Sequence, residues 1–379
     1  MPRSILLALL LAATAHAQWT IQQSNTTADL RGIDNVGHGI AWASGSNGTV
    51  LHTTDNGATW LLCKTPPDAE HLDFRGIQAF DATTAIVMSS GKGDLSRLYK
   101  TTDGCQTWRL LFTNPDQDGF WDAFVTANHN SEGLVIGDQV NGKFAMYAAM
   151  YTIDRGWEPF RHTTRSPNLA VTQPHSKNEV MFAASNSILS GDPGGGLAFV
   201  TGGSEGSFLH ATKWHTRPIF SDYWSSTFAV VPVPMAKGDS AGAFSFATRE
   251  GCPDNNICTY IVVGGDYMKP NERNGTAAFG TVSHKSEVPD NFLKALTPPH
   301  GYRSAVAYDA PTNTWITVGP NGTDISTDDG RNWRALKPSP IDTPDADQRW
   351  NALSLPFVVG PHGRIGILRP TALQPAKSP

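Results

Sequence analysis

A chain of 379 residues with 39% hydrophobic and 17% charged residues can bury a sizeable core, and its 36 Gly and 26 Pro supply many turns, the balance of a β-rich globular protein. The formal net charge is -5 and no run of five or more Lys or Arg occurs, which excludes the basic footprint of a nucleic-acid binder.

The chain opens with Arg3, an apolar run from Ile5 to Ala13, and the small-x-small sequence Ala15-His16-Ala17, the build of a signal peptide cleaved after Ala17. That run is too short to span a bilayer, and no later stretch approaches roughly 18 apolar residues, so no transmembrane segment is expected. The expected protein is exported, to a periplasm or the outside. Residues 1–17 are its signal peptide, 18–370 a single domain and 371–379 a flexible tail.

A repeat of four short apolar runs follows. Leu30-Arg31-Gly32-Ile33 leads to Ile40-Ala41-Trp42-Ala43, then Thr49-Val50-Leu51-His52, then TTDNGATW ending at Trp60. Phe74-Arg75-Gly76-Ile77 begins the same order again and ends in TTDGCQTW at Trp108. Weaker copies open at Trp121-Asp122-Ala123-Phe124, Phe182-Ala183-Ala184-Ser185, Ala241-Gly242-Ala243-Phe244, Tyr302-Arg303-Ser304-Ala305 and Trp350-Asn351-Ala352-Leu353. The second positions, 31, 75, 122, 183, 242, 303 and 351, lie 44 to 61 residues apart. Each unit reads as a four-stranded antiparallel sheet, and seven such sheets bury their faces by packing around an axis, which predicts an all-β, seven-bladed β-propeller. The last unit has only three strands of its own, so Trp19 to Gln23 is expected to supply the fourth and close the ring.

The turns TTDNGATW, TTDGCQTW and STDDGRNW resemble the Asp-box of sialidases, with a degenerate copy, TIDRG, at Thr152 to Gly156. Turn chemistry explains them: Asp55, Asp103 and Asp328 accept backbone N–H groups, Gly takes a positive φ, and Trp60, Trp108 and Trp333 pack between blades. A sialidase site needs more, an arginine triad and a Tyr nucleophile with a carboxylate partner, and neither the Arg-Ile-Pro signature nor a Tyr–Glu pair is evident. GGSEG at Gly202 to Gly206 matches GxSxG without a strand-to-helix elbow, and GDPGGG at Gly191 to Gly196 lacks the GK[ST] of a phosphate loop, so both read as turns.

Four cysteines fit an oxidising compartment. Cys252 and Cys258 bracket a short polar ring, Cys63 and Cys105 are candidates for a second bridge, and spacing alone does not fix the pairing. No CxxC or HExxH occurs, so no metal is expected, and no GxGxxG sits in a βαβ unit, so no nicotinamide or flavin cofactor is expected.

The recurring second position of each inner strand is expected to face one mouth of the channel. Arg303, Asn351, Arg31 and Arg75 then lie on one arc, suited to a carboxylate or other anion, with Asp122 beyond them. Asp138 in GDQVNGK and Asp266, Tyr267 and Lys269 in VVGGDYMKP add a rim.

With the RGI-opening blades, GLVIGDQVNGKF, VVGGDYMKP, GYRSAVAY and VGPNGTDISTDDGRNW in view, the chain resembles the exported seven-bladed propellers related to photosystem II stability/assembly factors over most of residues 19 to 369. That resemblance implies a non-catalytic chaperone that binds a membrane-protein precursor through an arginine-rich surface, matched in position by Arg31, Arg75 and Arg303. The expected partner is therefore a protein or an anionic ligand. The competing expectation is a carbohydrate-active hydrolase at the same mouth, with Asp122, Asp138 or Asp266 as its carboxylates.

Overall fold

The computed structural model describes residues 18–127, 132–149, 153–154, 156–159, 177–191, 197–211, 229–249, 257–283, 289–336, 343, 345–369 and 372–373. The expected signal peptide, Cys252, most of the GDPGGG turn, Thr152 and most of the expected tail fall outside them.

The described residues form a seven-bladed β-propeller, one sheet per repeat. In blade one the strands run outward from the axis as Leu30–Gly37, Ile40–Gly45, Val50–Thr53 and Leu61–Leu62. The innermost strands of the remaining blades are Phe74–Ala79, Trp121–Ala127, Leu189–Gly191, Gly238–Thr248, Ala305–Asp309 and Ala352–Ser354. Among the described residues the only helices are the single 3-10 turns Gly93–Leu95 and Ala310–Thr312, as expected of a sequence whose apolar runs are short and bounded by Gly, Pro, Asn and Asp. In blade seven, Trp19–Gln22 pairs antiparallel with Arg364–Leu368, Trp19 facing Leu368 and Gln22 facing Ile365. Trp19 is 2% exposed and its Nε1 donates to Thr323 Oγ1 of blade six at 3.1 Å. Ala372 and Leu373 pack against the same apolar cluster, so ordered structure runs past residue 370.

Hydrophobic burial between neighbouring sheets supplies the core. Trp42 of blade one packs with Phe74, Ile77, Val87 and Tyr99 of blade two, and Trp60 meets Phe357 of blade seven edge-on at 5.7 Å. Cys63 and Cys105 form a disulfide, Cα atoms 5.4 Å apart, that ties the outer edge of blade one to a turn of blade two. Cys258 is also disulfide-bonded.

The three outer turns build themselves from local hydrogen bonds. Asp55 Oδ1 accepts from Thr53 Oγ1 at 2.8 Å and Thr59 N at 2.9 Å, Oδ2 accepts from Thr59 Oγ1 at 2.6 Å, and Gly57 takes φ +77°. Asp103 repeats this set with Thr101 and Thr107, and Asp328 with Ser326 and Asn332. These bonds favour the ionised form, so all three carboxyls lie below the usual range, Asp103 at about 2. Trp60, Trp108 and Trp333 are buried behind them.

Blade five departs from the regular plan. Beyond its inner strand lies Gly202–Gly203, and beyond that Glu179–Val180, making a six-stranded sheet. The GGSEG segment is thus the turn it was expected to be, with a sheet edge added. Gly242 permits the contact, because a Cβ there would lie 2.2 Å from Gly202 Cα.

Candidate functional site: the channel mouth

The inner strands of several blades carry a β-bulge near their first residue. Pairing steps from Leu30↔Gly45 to Gly32↔Ser44, leaving Arg31 outside the ladder. Arg75 and Asp122 are left out in the same way, and in blade five so is Phe244. A bulge re-aims the extra side chain, here toward the axis. The result is a cavity of about 780 Å³ at one end of the channel, lined by Arg31, Arg75, Asp122, Ala183, Phe244, Ser304 and Asn351 from blades one to seven in turn.

Two of the seven expected positions need correction, and one backbone feature shows why. A Cβ on Gly45, Gly137, Gly264, Gly319 or Gly360 would lie 1.9 to 2.3 Å from the carbonyl oxygen of Asp29, Phe120, Gly242, Tyr302 or Arg349, respectively. These contacts align the blades. Two residues after each carbonyl come Arg31, Asp122, Phe244, Ser304 and Asn351. The mouth residue of blade five is therefore Phe244 rather than Gly242, and that of blade six is Ser304 rather than Arg303.

Arg303 takes the place of Leu30, Trp121 and Trp350, large side chains buried beneath the mouth. It is 0% exposed, and its guanidinium bonds Asp324 Oδ2 from both Nε, at 2.9 Å, and Nη2. Nη1 donates to Asn321 Oδ1 at 2.6 Å and to Tyr302 O at 2.7 Å. A one-residue slip moves a side chain from one face to the other, so this arginine braces blade six and is out of a ligand's reach.

Arg31 and Arg75 remain, on adjacent blades. Both turn to a single carboxylate, Asp73, with Nε to Oδ2 at 3.9 Å for Arg31 and 2.8 Å for Arg75. Arg75 Nη1 also donates to Ala183 O at 3.2 Å across the channel, and its guanidinium lies 5.9 Å from the Phe120 ring centre. Lys92 and Asp118 pair at 2.8 Å on the exposed rim. Arg31 Nε, Asp73 Oδ1 and Asp122 Oδ2 are buried without a hydrogen-bond partner, and such groups are costly unless a ligand or water completes them.

Asp122 is 1% exposed. Burial raises its carboxyl well above the usual range and the nearby Asp138 raises it further, against a smaller opposing pull from Arg75. Asp138 also lines the cavity; burial raises it too, while Met181 N donates to its Oδ1 at 3.0 Å. Two guanidiniums thus share the carboxylate of Asp73, while burial raises the carboxyls of Asp122 and Asp138. Lys92, Asp118 and Asp239 line the same cavity, so its two arginines stand among carboxyls as well as beside Asp73.

The expected rim divides. Asp266 completes its own turn, accepting from Ser240 Oγ at 2.7 Å and Met268 N at 3.0 Å and pairing with Lys269 at 3.1 Å, so neither charge faces the cavity. Tyr267 does line it and is 48% exposed. Asn351 lines it while its Nδ2 donates to Leu30 O at 2.8 Å, joining blades seven and one.

The same cavity carries an aromatic wall of Phe182, Phe244, Tyr267 and Tyr302. None of the four was expected as mouth chemistry except Tyr267. The signal was available: Phe182 and Tyr302 open the fourth and sixth repeat units, and Phe244 closes the quoted segment of the fifth. Among the described residues no group of three or more His, Cys, Asp or Glu is arranged to hold a metal ion, and no helix is long and apolar enough to cross a membrane.

No protein-family model and no curated protein sequence matches the chain. Solved structures do share its fold. A YCF48 bound to a D1 peptide is similar at a TM-score of 0.60 and 17% identity, covering 93% of this chain and 97% of that one. The YCF48 from Cyanidioschyzon merolae is similar at 0.58 and 17%, covering 93% and 99%. The extracellular domain of a putative one component system from B. thetaiotaomicron is similar at 0.56 and 11%, covering 92% of this chain but 40% of that one. These likenesses establish the propeller fold.

Proposed function

We propose that the chain is an exported binding propeller that holds a carboxylate-bearing segment of a protein partner in its channel mouth. The observation that carries this is the pair Arg31 and Arg75, delivered by bulges on adjacent blades and sharing the one carboxylate of Asp73. Guanidiniums bind carboxylates through charge-assisted, bidentate bonds. A mouth about 780 Å³ in volume accommodates a few residues of extended chain. That a YCF48 of the same fold binds a D1 peptide supports a peptide as the ligand form. The Cys63–Cys105 disulfide and the leader-like first 17 residues support an exported location.

The test is fluorescence anisotropy with acetyl-Gly-Ala-Glu-Gly-amide as competitor against its Gln analogue. The Glu peptide is expected to bind more tightly, to weaken with added salt, and to lose about tenfold in affinity in Arg31→Ala or Arg75→Ala. Equal binding by wild type and both variants places the ligand elsewhere.

One observation favours a second reading, glycoside hydrolysis: burial and the adjacent Asp138 raise the Asp122 carboxyl well above its usual range, as a general acid beside a second carboxyl would require. Turnover of a fluorogenic glycoside panel, abolished by Asp122→Asn, would establish it in place of simple binding. The burial of Arg303 weighs against a sialidase, since only two arginines of the expected arc reach the mouth.

A further inference from the structure

Phe182 and Phe244 stack face to face, ring centres 4.0 Å apart and planes 9° from parallel. Tyr302 meets Phe244 edge-on at 4.8 Å and 83°, and Tyr267 meets both phenylalanines edge-on at 6.3 and 6.1 Å. Stacked and edge-to-face pairs at these separations are mutually stabilising, so the four rings form one rigid surface. None of them belongs to the apolar clusters that fill the spaces between blades. Phe244 and Tyr302 are buried, Phe182 is part-buried and Tyr267 is half-exposed, so Phe182 and Tyr267 are the rings of the wall most open to the cavity entered by both arginines.

Its surroundings decide what it can hold. Arg31, Arg75 and all four rings line one cavity, so a single guest can meet both the cationic and the aromatic side. Two guanidiniums in the same cavity disfavour a cationic guest, which rules against an aromatic cage for an ammonium group. They favour a guest with an anionic end on the arginines and an apolar body on the rings.

We propose that this wall is a specificity surface for an aromatic or large apolar side chain next to the bound carboxylate, so that the mouth selects acidic segments in which a hydrophobic residue adjoins the acid. The proposal rests on the carboxylate reading of Arg31 and Arg75 and adds a second recognition element to it. Rigid aromatic surfaces of this kind provide much of the discrimination at peptide and protein interfaces.

Three acetylated, amidated tetrapeptides separate the two readings by titration calorimetry: Gly-Phe-Glu-Gly, Gly-Ala-Glu-Gly and Gly-Phe-Gln-Gly. Wild type is expected to prefer the Phe-Glu peptide over Ala-Glu by about tenfold. Tyr267→Ala and Phe182→Leu are each expected to bring that ratio below about threefold. Tyr267 is half-exposed and Phe182→Leu keeps an apolar side chain, so retained folding of at least one variant is checked by its thermal melt. Binding of both Glu peptides with a ratio near one overturns the wall and leaves the arginine reading standing. Equal binding of Phe-Glu and Phe-Gln overturns the carboxylate reading, and the proposal as stated falls with it. Failure of both Glu peptides to bind at about 1 mM overturns both.

Discussion

Asp55 in an outer turn and Asp122 at the channel mouth are the same residue in opposite conditions. Asp55 accepts from Thr53 and Thr59 with both oxygens, stands in solvent, and is held below the usual carboxylate range. Asp122 is buried, keeps one oxygen without a partner, and is held well above that range. Each outer turn satisfies its acid from its own backbone and hydroxyls, so nothing is left to offer a ligand. The mouth leaves donors and acceptors incomplete beneath a cavity. The comparison separates residues that hold the ring together from residues that present chemistry, and it predicts that mutations divide the same way.

The largest effect is expected from deleting residues 18–24. It removes the outermost strand of blade seven and the buried Trp19, a loss of at least about 5 kcal/mol with Trp burial as its main part. An unchanged melting temperature would show that the ring does not depend on this strand. Next comes Arg303→Met, which leaves Asp324 buried with only His300 beside it and should cost about 3 kcal/mol by urea denaturation while peptide affinity persists. Arg31→Ala should do the reverse, with stability within about 1 kcal/mol of wild type and peptide affinity lowered about tenfold. If Arg303→Met instead abolished binding in a folded protein, the division between bracing and presenting would fail.

The acids give smaller effects of opposite sign with pH. Asp103 is depressed to about 2 from an ordinary 3.8, so its stabilisation is present above 3.8 and is lost as pH falls through about 2. Wild type should lose melting temperature across that window, and Asp103→Asn should lose less. Asp122 is raised, so the folded state prefers its protonated form and loses stability as pH rises above the ordinary carboxyl value. Asp122→Asn, which cannot ionise, should therefore gain on wild type as pH rises above about 4. A constant difference across that range would show that Asp122 does not carry this ionisation cost.

The repeat, the blade count and the self-contained turns were legible because each rests on local, periodic information: apolar runs at strand spacing, and Asp, Gly and Trp at fixed offsets. Cys63 and Cys105 were identifiable as candidates because their two turns belong to neighbouring repeats. The mouth was legible in blades one, two, three and seven, where Arg31, Arg75, Asp122 and Asn351 stand immediately after a bulky residue. It was misread in blades five and six. There Gly242 precedes Phe244 by two residues and Arg303 precedes Ser304 by one, and in blade five a bulge breaks the alternation that would otherwise fix inward and outward positions. A buried arginine and a presented one look alike in sequence; Asp324, twenty-one residues on, makes the difference, and no local pattern announces that pairing. The aromatic wall was overlooked for the converse reason, since Phe182 and Tyr302 look like core.

A residue expelled from a ladder has no cross-strand partner to match, so its identity is decoupled from sheet pairing. In this ring the decoupled positions converge on one place from separate strands, while the buried anchors beside them keep the blades in register. Selection for a new ligand, natural or in the laboratory, would act on Arg31, Arg75, Asp122, Phe244, Ser304 and Asn351 as a library. Leu30, Phe74, Trp121 and Trp350 would stay constant as the scaffold that displays it.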